Sequence, residues 1–470
     1  MRRPRKKTPR RRAKRRILIV ANRLPVMKVR RGGKVHWDPS PGGLVSAMAP
    51  VLATHRGEWV GWSGVAGPSP RRLTNDGLRI YPVPLTVADV EKYYLGFSNA
   101  TIWPLYHDAV RTPVFNARWW KPYVDVNARF ARTAAAHAQR GETVWVHDYQ
   151  LQLVPRMLRE LRPDLRIGYF LHIPFPPDEL FAWLPWRREI LEGLLGADLI
   201  GFQTTADARD FSRAAREFTV ASGTDSSLQF KGRHIDIGAY PISIDAKWIE
   251  QQATEPATLR QAQAIRRSIG ASRKLLLSVD RLDYTKGIDQ RLRAFELLLR
   301  SGDVTVHDCV LMQVAVPSRE TVAEYREQRE NIERIVGRIN GEFSVPGRVP
   351  VHYFRRGLSR EELVAYYLAA DVMVVTPLKD GMNLVAKEYV AARRDNTGVL
   401  MLSEFTGAAR ELRQALLVNP HDIDAMVHTL HAAMELPRSE ARTRMAAMRA
   451  NVRRHDVHAW ARNFLRILEG

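Results

Sequence analysis

The sequence predicts an α/β protein made of two doubly wound parallel-sheet domains, and three observations carry that prediction. Short, unbroken, β-branched apolar runs alternate with helical patterns along most of the chain. The alternation comes in two series, separated by a polar, glutamine-rich stretch near 240–257. The chain has 470 residues, 45% hydrophobic and 26% charged, which is enough to bury two cores, and no repeat of solenoid length interrupts it.

The first 16 residues, MRRPRKKTPRRRAKRR, hold 11 basic residues and no acid. With almost nothing to bury, residues 1–16 are expected to form a disordered basic tail. Order is expected from Ile17, because ILIV (17–20) is short and β-branched, as a central parallel strand covered on both faces should be. Beyond Pro41-Gly42-Gly43, the residues Leu44, Ala47, Met48, Val51 and Leu52 fall on one face of a helix. Strands are predicted at 143–147, 166–171 and 198–202, with helices near 123–138, 187–197 and 205–219. The second series has strands at 274–279, 309–316, 351–354, 371–376, 398–402 and 415–419. One of its helices opens with a capping box, Ser359 with Glu362. A last amphipathic helix covers 458–469. The chain thus divides into a tail (1–16), a first domain (17–245), a second domain (246–455) and a terminal helical segment (456–470).

The net charge of +22 points toward anionic partners, although half of it sits in the tail. The single cysteine, Cys309, excludes an intrachain disulfide framework and a thiolate zinc cluster, and it fits a reducing compartment. No uncharged apolar run approaches the ~18 residues of a membrane-spanning helix. The apolar stretch after Arg15 and Arg16 is short and broken by Asn22 and Arg23, a poor signal peptide. A cytoplasmic protein without a membrane partner is expected. The phosphate-loop, dinucleotide, zinc-protease and serine-elbow motifs are absent. The glycines at 61, 64 and 67 read as ordinary turn glycines. Asp422 and Asp424 follow Asn419-Pro420 and read as helix-opening acids rather than a metal pair, so no metal is expected.

Ligands of doubly wound sheets lie beyond the carboxyl ends of the strands, so residues just after predicted strands carry the functional argument. SVDRLDYTKGID (278–289) places Arg281 and Lys286 in such a loop, two cations suited to a departing diphosphate. TPLKDGMNLVAKEYVAAR (376–393) places the turn Asp380-Gly381 before a helix that starts near Asn383, whose free N–H groups suit an anion. Glu388, inside that helix, is suited to accept from ribose hydroxyls. His147-Asp148-Tyr149 and His172-Ile173-Pro174 end two first-domain strands. Asp148 suits sugar hydroxyls or a shared proton, and His172 suits donation to a developing charge. YYLGFSNATIWPLYH (93–107) is dense in aromatics, which serve equally well as core or as a sugar-stacking wall.

The strings ANRLPV (21–26), PGGL (41–44), GWSG (61–64), FSNATIWPLYH (97–107), HDYQL (147–151), FLHIPFP (170–176), RLDYTKG (281–287), RING (338–341) and DGMNLVAKEYVAAR (380–393) stand in this order. Together they closely resemble the trehalose-6-phosphate synthase family, retaining glycosyltransferases of the GT-B fold, from about residue 17 to the C-terminus. The resemblance implies two Rossmann-like domains facing across a cleft, with the last helix (456–470) crossing back onto the first. It implies transfer of glucose from a nucleoside diphosphate glucose to glucose 6-phosphate, with no metal and no cofactor beyond these two substrates. By resemblance, Arg23 and Arg319 bind the acceptor phosphate, Tyr94 and Trp103 wall the acceptor site, Asp148 contacts the acceptor sugar and His172 lies near the transferred glucose. Arg281 and Lys286 hold the donor diphosphate, with Gly42 and Gly43 closing over it. Asp380, Gly381, Met382, Asn383 and Leu384 match the glucose-binding turn. Val385, Ala386 and Lys387 continue the donor segment, Glu388 contacts the ribose, and Leu358 falls where the family contacts the base. The implied catalytic set is Asp148, His172, Arg281 and Lys286.

Two other readings use the same motifs: a synthase for another phosphorylated acceptor such as glycerol 3-phosphate, and a catalytically inactive regulatory homologue. The tail is not a feature of the family. It supports at most weak, sequence-independent binding to nucleic acid, so no specific nucleic-acid partner is expected. A homo-oligomer stays open. No phosphatase signature is present, and the expected product is the phosphorylated disaccharide.

Overall fold

A computed structural model describes residues 16–32, 34–39, 43–54, 56–75, 77–270, 272–318 and 323–470. The expected tail therefore lies outside the described residues except for Arg16, as do Gly42 and Arg319. The strands are, in chain order, β1 (Arg16–Arg23), β2 (Val26–Arg31), β3 (Lys34–Pro39), β4 (Arg56–Trp62), β5 (Leu73–Asn75), β6 (Leu78–Pro82), β7 (Thr143–His147), β8 (Arg166–Phe170), β9 (Leu199–Phe202), β10 (Ser222–Gly223), β11 (Ser227–Phe230) and β12 (Arg233–Ala239). They are followed by β13 (Lys274–Arg281), β14 (Cys309–Val316), β15 (Val351–Phe354), β16 (Val372–Val375), β17 (Val399–Ser403) and β18 (Leu416–Val418).

One sheet has the order β10-β11-β12-β9-β8-β7-β1-β4-β6-β5, parallel throughout except at its two edges. The other is wholly parallel, in the order β15-β14-β13-β16-β17-β18, the 3-2-1-4-5-6 winding of a dinucleotide-type sheet. A hairpin of β2 and β3 stands apart from both. Burial follows the period of two that a doubly covered strand requires. On β1, Ile17, Ile19 and Ala21 join one hydrophobic cluster while Leu18 and Val20 join another on the opposite face. On β13, Leu275, Leu277 and Val279 face one cluster and Leu276 faces a third.

The first of these clusters is shared by both sheets. It runs from β1 and β7 through Ile242 and Ile244 to β13 and β16, and it includes the helix Val457–Glu469. That last helix packs on β8 and β9: Phe464 stacks on Trp145 of β7 at 4.4 Å, and Trp460 donates to the Tyr240 carbonyl at 3.1 Å. The C-terminal end thus closes the underside of the first sheet.

Three local differences from the sequence expectations have physical causes. The helix expected near 123–138 begins at Ala117, capped by Asn116, and carries Pro122 in its second turn. Proline in the second turn removes one backbone hydrogen bond, and the helix continues through it. The aromatic segment winds as a π-helix over Val90–Ile102 and continues as Trp103–Tyr106. Its rings are mostly core: Tyr93, Phe97, Trp103 and Tyr106 are buried, and Tyr94 is half-buried. Gly61 lies inside β4 rather than in a turn, while Gly64 and Gly67 have positive φ as turn glycines do. The Ser359–Glu362 capping box is present, and Asp422 caps its helix by accepting from the Ala425 N–H at 2.9 Å.

Candidate active site

In each sheet the winding direction reverses at one place, between β1 and β7 in the first and between β13 and β16 in the second. The crevice beyond the carboxyl ends of such neighbours is where doubly wound sheets bind ligands. Arg23 ends β1 and Arg281 ends β13, the loops after β7 and β8 carry Asp148 and His172, and those after β13 and β16 carry Lys286 and Asp380. The two sets meet. The Arg281 guanidinium lies over the Trp103 ring at 5.2 Å, and Lys379 pairs with Asp108 at 2.6 Å. Gly381 abuts the backbone of the loop after β8, where a β-carbon would collide with the His172 carbonyl.

On the first-sheet side, Arg23 is exposed at the end of β1 with its guanidinium over two rings, Trp62 at 4.3 Å and Tyr94 at 5.3 Å. Cation–π contact with these two rings, themselves edge to face at 5.4 Å, holds the charge in place without neutralising it. Gly64 makes room: a β-carbon there would occupy the position of Arg23 Nη1. The neighbouring Asn22 accepts from the Tyr93 hydroxyl at 2.8 Å, which ties β1 to the π-helix. Trp103 packs against His107 and Tyr149, and His107 Nδ1 lies 2.7 Å from the Trp103 carbonyl.

Asp148 follows β7 with φ of 76°, a left-handed conformation rare for a side chain. That turn brings Asp148 Oδ1 within 3.2 Å of the His172 N–H, which donates to it. The His172 ring meets the ring of His147, Nε2 to Nδ1 at 3.0 Å, and its carbonyl accepts from Gln203 Nε2 at 3.3 Å. Burial pushes the His172 imidazole down to about 3 and that of His107 to about 4, the latter also through Lys286. Both are therefore neutral near pH 7.

On the second-sheet side, Lys286 Nζ donates to Asp380 Oδ2 at 2.7 Å, and Asn383 Nδ2 donates to the same oxygen at 3.2 Å. Burial opposes ionisation of Asp380, but Lys286, His107 and Asn383 outweigh it and hold the carboxyl below its usual range. Asn383, at φ of 81°, caps the helix Leu384–Ala392 by accepting from the Ala386 N–H at 3.0 Å. Gly381 and Met382 are buried, and Leu384 and Val385 are half-buried at the helix start. Glu388 accepts from the Tyr367 hydroxyl at 2.9 Å, and burial raises its carboxyl against the pull of Tyr367 and Arg360. Lys387 turns the other way. It is fully buried, donates to the Ile242 carbonyl at 2.8 Å and pairs with Glu411 at 2.6 Å, so its amino group ties the helix to the connection between the sheets. Leu358, in the loop after β15, is half-buried against the shared cluster. Gly43 is the first residue of the helix Gly43–Thr54.

Sequence reading did not reach the groups under this site. Arg291 is fully buried, pairs with Asp280 at 2.6 Å, and donates to Gln313 at 2.7 Å, Thr376 at 3.0 Å and the Lys286 carbonyl at 3.2 Å. One guanidinium thereby links β13, β14 and the loops that follow β13 and β16. An arginine in an amphipathic helix gives no sequence signal for such burial, although Asp280 at a strand end was a partial one. His147 and His107 were named only within their strings and given no role of their own. Among the described residues no cluster of three or more His, Cys, Asp or Glu is placed to hold a metal ion.

Residues 15–470 match the family model for glycosyltransferase family 20. The trehalose-6-phosphate synthase of Mycobacterium leprae is 54% identical over 465 residues, covering 96% of this chain and 93% of that one. The crystal structure of an α,α-trehalose-phosphate synthase (UDP-forming) from Burkholderia vietnamiensis superposes with a TM-score of 0.90 at 36% identity, covering 97% of each chain. That of the Burkholderia xenovorans enzyme in complex with glucose-6-phosphate gives 0.88 at 36% identity, over 97% of this chain and 100% of the other. The fold is GT-B, two Rossmann-like sheets facing across a cleft, and the chain belongs to glycosyltransferase family 20.

Proposed function

We propose that the chain transfers glucose, with retention of configuration, from a nucleoside diphosphate glucose to glucose 6-phosphate, yielding α,α-trehalose 6-phosphate and the free nucleoside diphosphate. The observation that carries this reading is the contact of Arg281 with Trp103, which sets a cation of one half against the aromatic wall of the other at 5.2 Å. A donor diphosphate at Arg281 and a sugar at Trp103 would then be neighbours. The glucose-6-phosphate complex of the Burkholderia xenovorans relative supports the acceptor, and the UDP-forming description of the Burkholderia vietnamiensis relative supports a nucleotide-sugar donor.

In this reaction Arg23, with Arg319, binds the acceptor phosphate, while Tyr94, Trp103 and Asp148 hold the acceptor sugar. The acceptor hydroxyl attacks the anomeric carbon from the face that the diphosphate leaves. As the carbon–oxygen bond to the phosphate breaks, a leaving phosphate oxygen takes the hydroxyl proton, so no protein carboxylate need form a glycosyl bond. Arg281 and Lys286 stabilise the charge that grows on the diphosphate, and the neutral His172 lies beside the transferred glucose. Asp380 and the backbone of residues 381–384 hold the glucose, residues 385–387 continue the donor segment, Glu388 holds the ribose, Leu358 the base, and Gly42 with Gly43 covers the diphosphate. Residues 17–245 with the last helix form the acceptor half, and residues 246–455 the donor half. We read the reaction as metal-free and the protein as cytoplasmic. Among the described residues no helix is long and apolar enough to cross a membrane. A homo-oligomer is compatible with all of this.

The test incubates glucose 6-phosphate with UDP-, ADP- and GDP-glucose in parallel, with and without chelator, and identifies the disaccharide by its linkage. An α,α-1,1-linked phosphorylated product supports the reading and its rate ranks the bases. No such product with any donor overturns it, and product with glycerol 3-phosphate alone would replace the acceptor.

A further inference from the structure

We propose that His147 is a positioning residue that fixes the tautomer of His172: its Nδ1–H donates to His172 Nε2, so that His172 offers an Nδ1–H donor to the cleft. The inference rests on the reading of His172 as a neighbour of the transferred glucose, and it adds which nitrogen of that ring carries the proton and what puts it there.

The two rings share one hydrogen bond, His147 Nδ1 to His172 Nε2 at 3.0 Å. Two neutral imidazoles can share it in two ways. If His172 donates, His147 must carry its own proton on Nε2. If His147 donates, its Nε2 is a bare nitrogen. His147 is fully buried, and its Nε2 meets no hydrogen-bond partner among the described residues. The rings of Trp145 and Phe170, with centroids 4.8 and 6.5 Å from that of His147, offer no hydrogen-bond acceptor, since the indole nitrogen only donates. A buried N–H with no acceptor is the rarer and costlier orphan, so the second arrangement wins. Burial also keeps both rings neutral, so no second proton blurs the choice. His172 Nδ1 makes no hydrogen bond to a described residue and is not sealed in the core as His147 Nε2 is. The rest of His172 is already clamped, its N–H by Asp148 and its carbonyl by Gln203. His147 supplies the one constraint still missing, the direction of the ring's proton.

The primary test is nitrogen-15 NMR of histidine-labelled full-length protein without substrates, with the His172 signals identified by their loss in His172→Gln. The expected pattern is a protonated Nδ1 and a bare Nε2 on His172; a protonated Nε2 overturns the proposal. The second test compares His147→Asn, whose side-chain amide can still donate near the Nδ1 position, with His147→Phe, which cannot. His147→Phe should lower kcat about tenfold, the worth of one hydrogen bond, with the glucose 6-phosphate KM unchanged, and His147→Asn should recover most of it. Equal losses in the two variants overturn the proposal. If His147→Phe does not fold, the NMR result decides alone. The NMR pattern needs no turnover, so it stands apart from a failure of the transferase reading, which shows as absent disaccharide in the wild-type protein.

Discussion

The two cations after β13 are not equivalent. Lys286 already shares its charge with Asp380 at 2.7 Å, whereas Arg281 is exposed at the cleft, makes no ion pair with a described residue, and rests on an aromatic face. An unneutralised guanidinium can answer a growing negative charge in full, while Lys286 must divide its attention with a carboxylate it also holds ionised. Arg281→Ala is therefore expected to lower kcat by about 10²–10³-fold, the scale of losing one preorganised charge-stabilising group. The KM for glucose 6-phosphate should hardly move, because Arg23 lies elsewhere, over Trp62 and Tyr94. Steady-state kinetics with each substrate varied in turn decides this; near-normal turnover would remove Arg281 from the mechanism.

At the scale of elements, rigid strands carry the site and tight turns aim it. β14 and β15 fall where the apolar runs placed them, at 309–316 and 351–354: β14 is buried on both faces, and β15 closes the sheet edge beside it, half-buried. The turn after β16 is different. Its Gly381 was legible as a turn residue, but the reason for glycine there is the carbonyl of His172, reached across the cleft from another element. Gly381→Ala should push that turn off the loop after β8. Overpacking of this kind costs about 1–3 kcal/mol, so a lower melting temperature is expected together with a loss in kcat. Thermal unfolding measured beside the transfer assay checks it, and an unchanged kcat would mean that the contact is not part of the working geometry. Arg291 shows the reverse case: it lies in the helix Ile288–Ser301 between two predicted strands, and its buried role beneath both loops left no trace in the sequence.

At the scale of the molecule, two ion pairs span the cleft near its rim. Lys379 pairs with Asp108 at 2.6 Å and Arg111 with Glu327 at 2.9 Å, and Arg111 also lies over Tyr284 at 5.3 Å. Asp108 and Ala109 both take positive φ, 53° and 50°, and this strained corner presents Asp108 to the other half. The partners are partly exposed, so each pair is worth at most about 1 kcal/mol and weakens with salt. Removing both with Lys379→Ala and Arg111→Ala should relax the closed arrangement. A larger radius of gyration is expected by small-angle X-ray scattering, with KM for both substrates raised about two- to thirtyfold, the sum of two such pairs. Wild-type protein in molar salt should move toward the same values. An unchanged radius and unchanged KM would mean that the shared hydrophobic cluster through Ile242, Ile244 and the last helix holds the halves without help.

By itself the sequence pointed to two doubly wound sheets, to β1, β7, β8 and β9 of the first and all six strands of the second, and to the cations, acids and histidines at several strand ends; β2 to β6 and β10 to β12 it did not mark. Those features are local: periodicity, turn chemistry and motif strings are written in neighbouring residues. Only the tertiary structure decided that Arg281 meets Trp103, that Lys286 is held by Asp380, that the amino group of Lys387 faces away from the cleft, and that His147 lies against His172. Each of these depends on where two distant segments come to rest. That is set by the winding of both sheets and by the core they share, which no local pattern encodes.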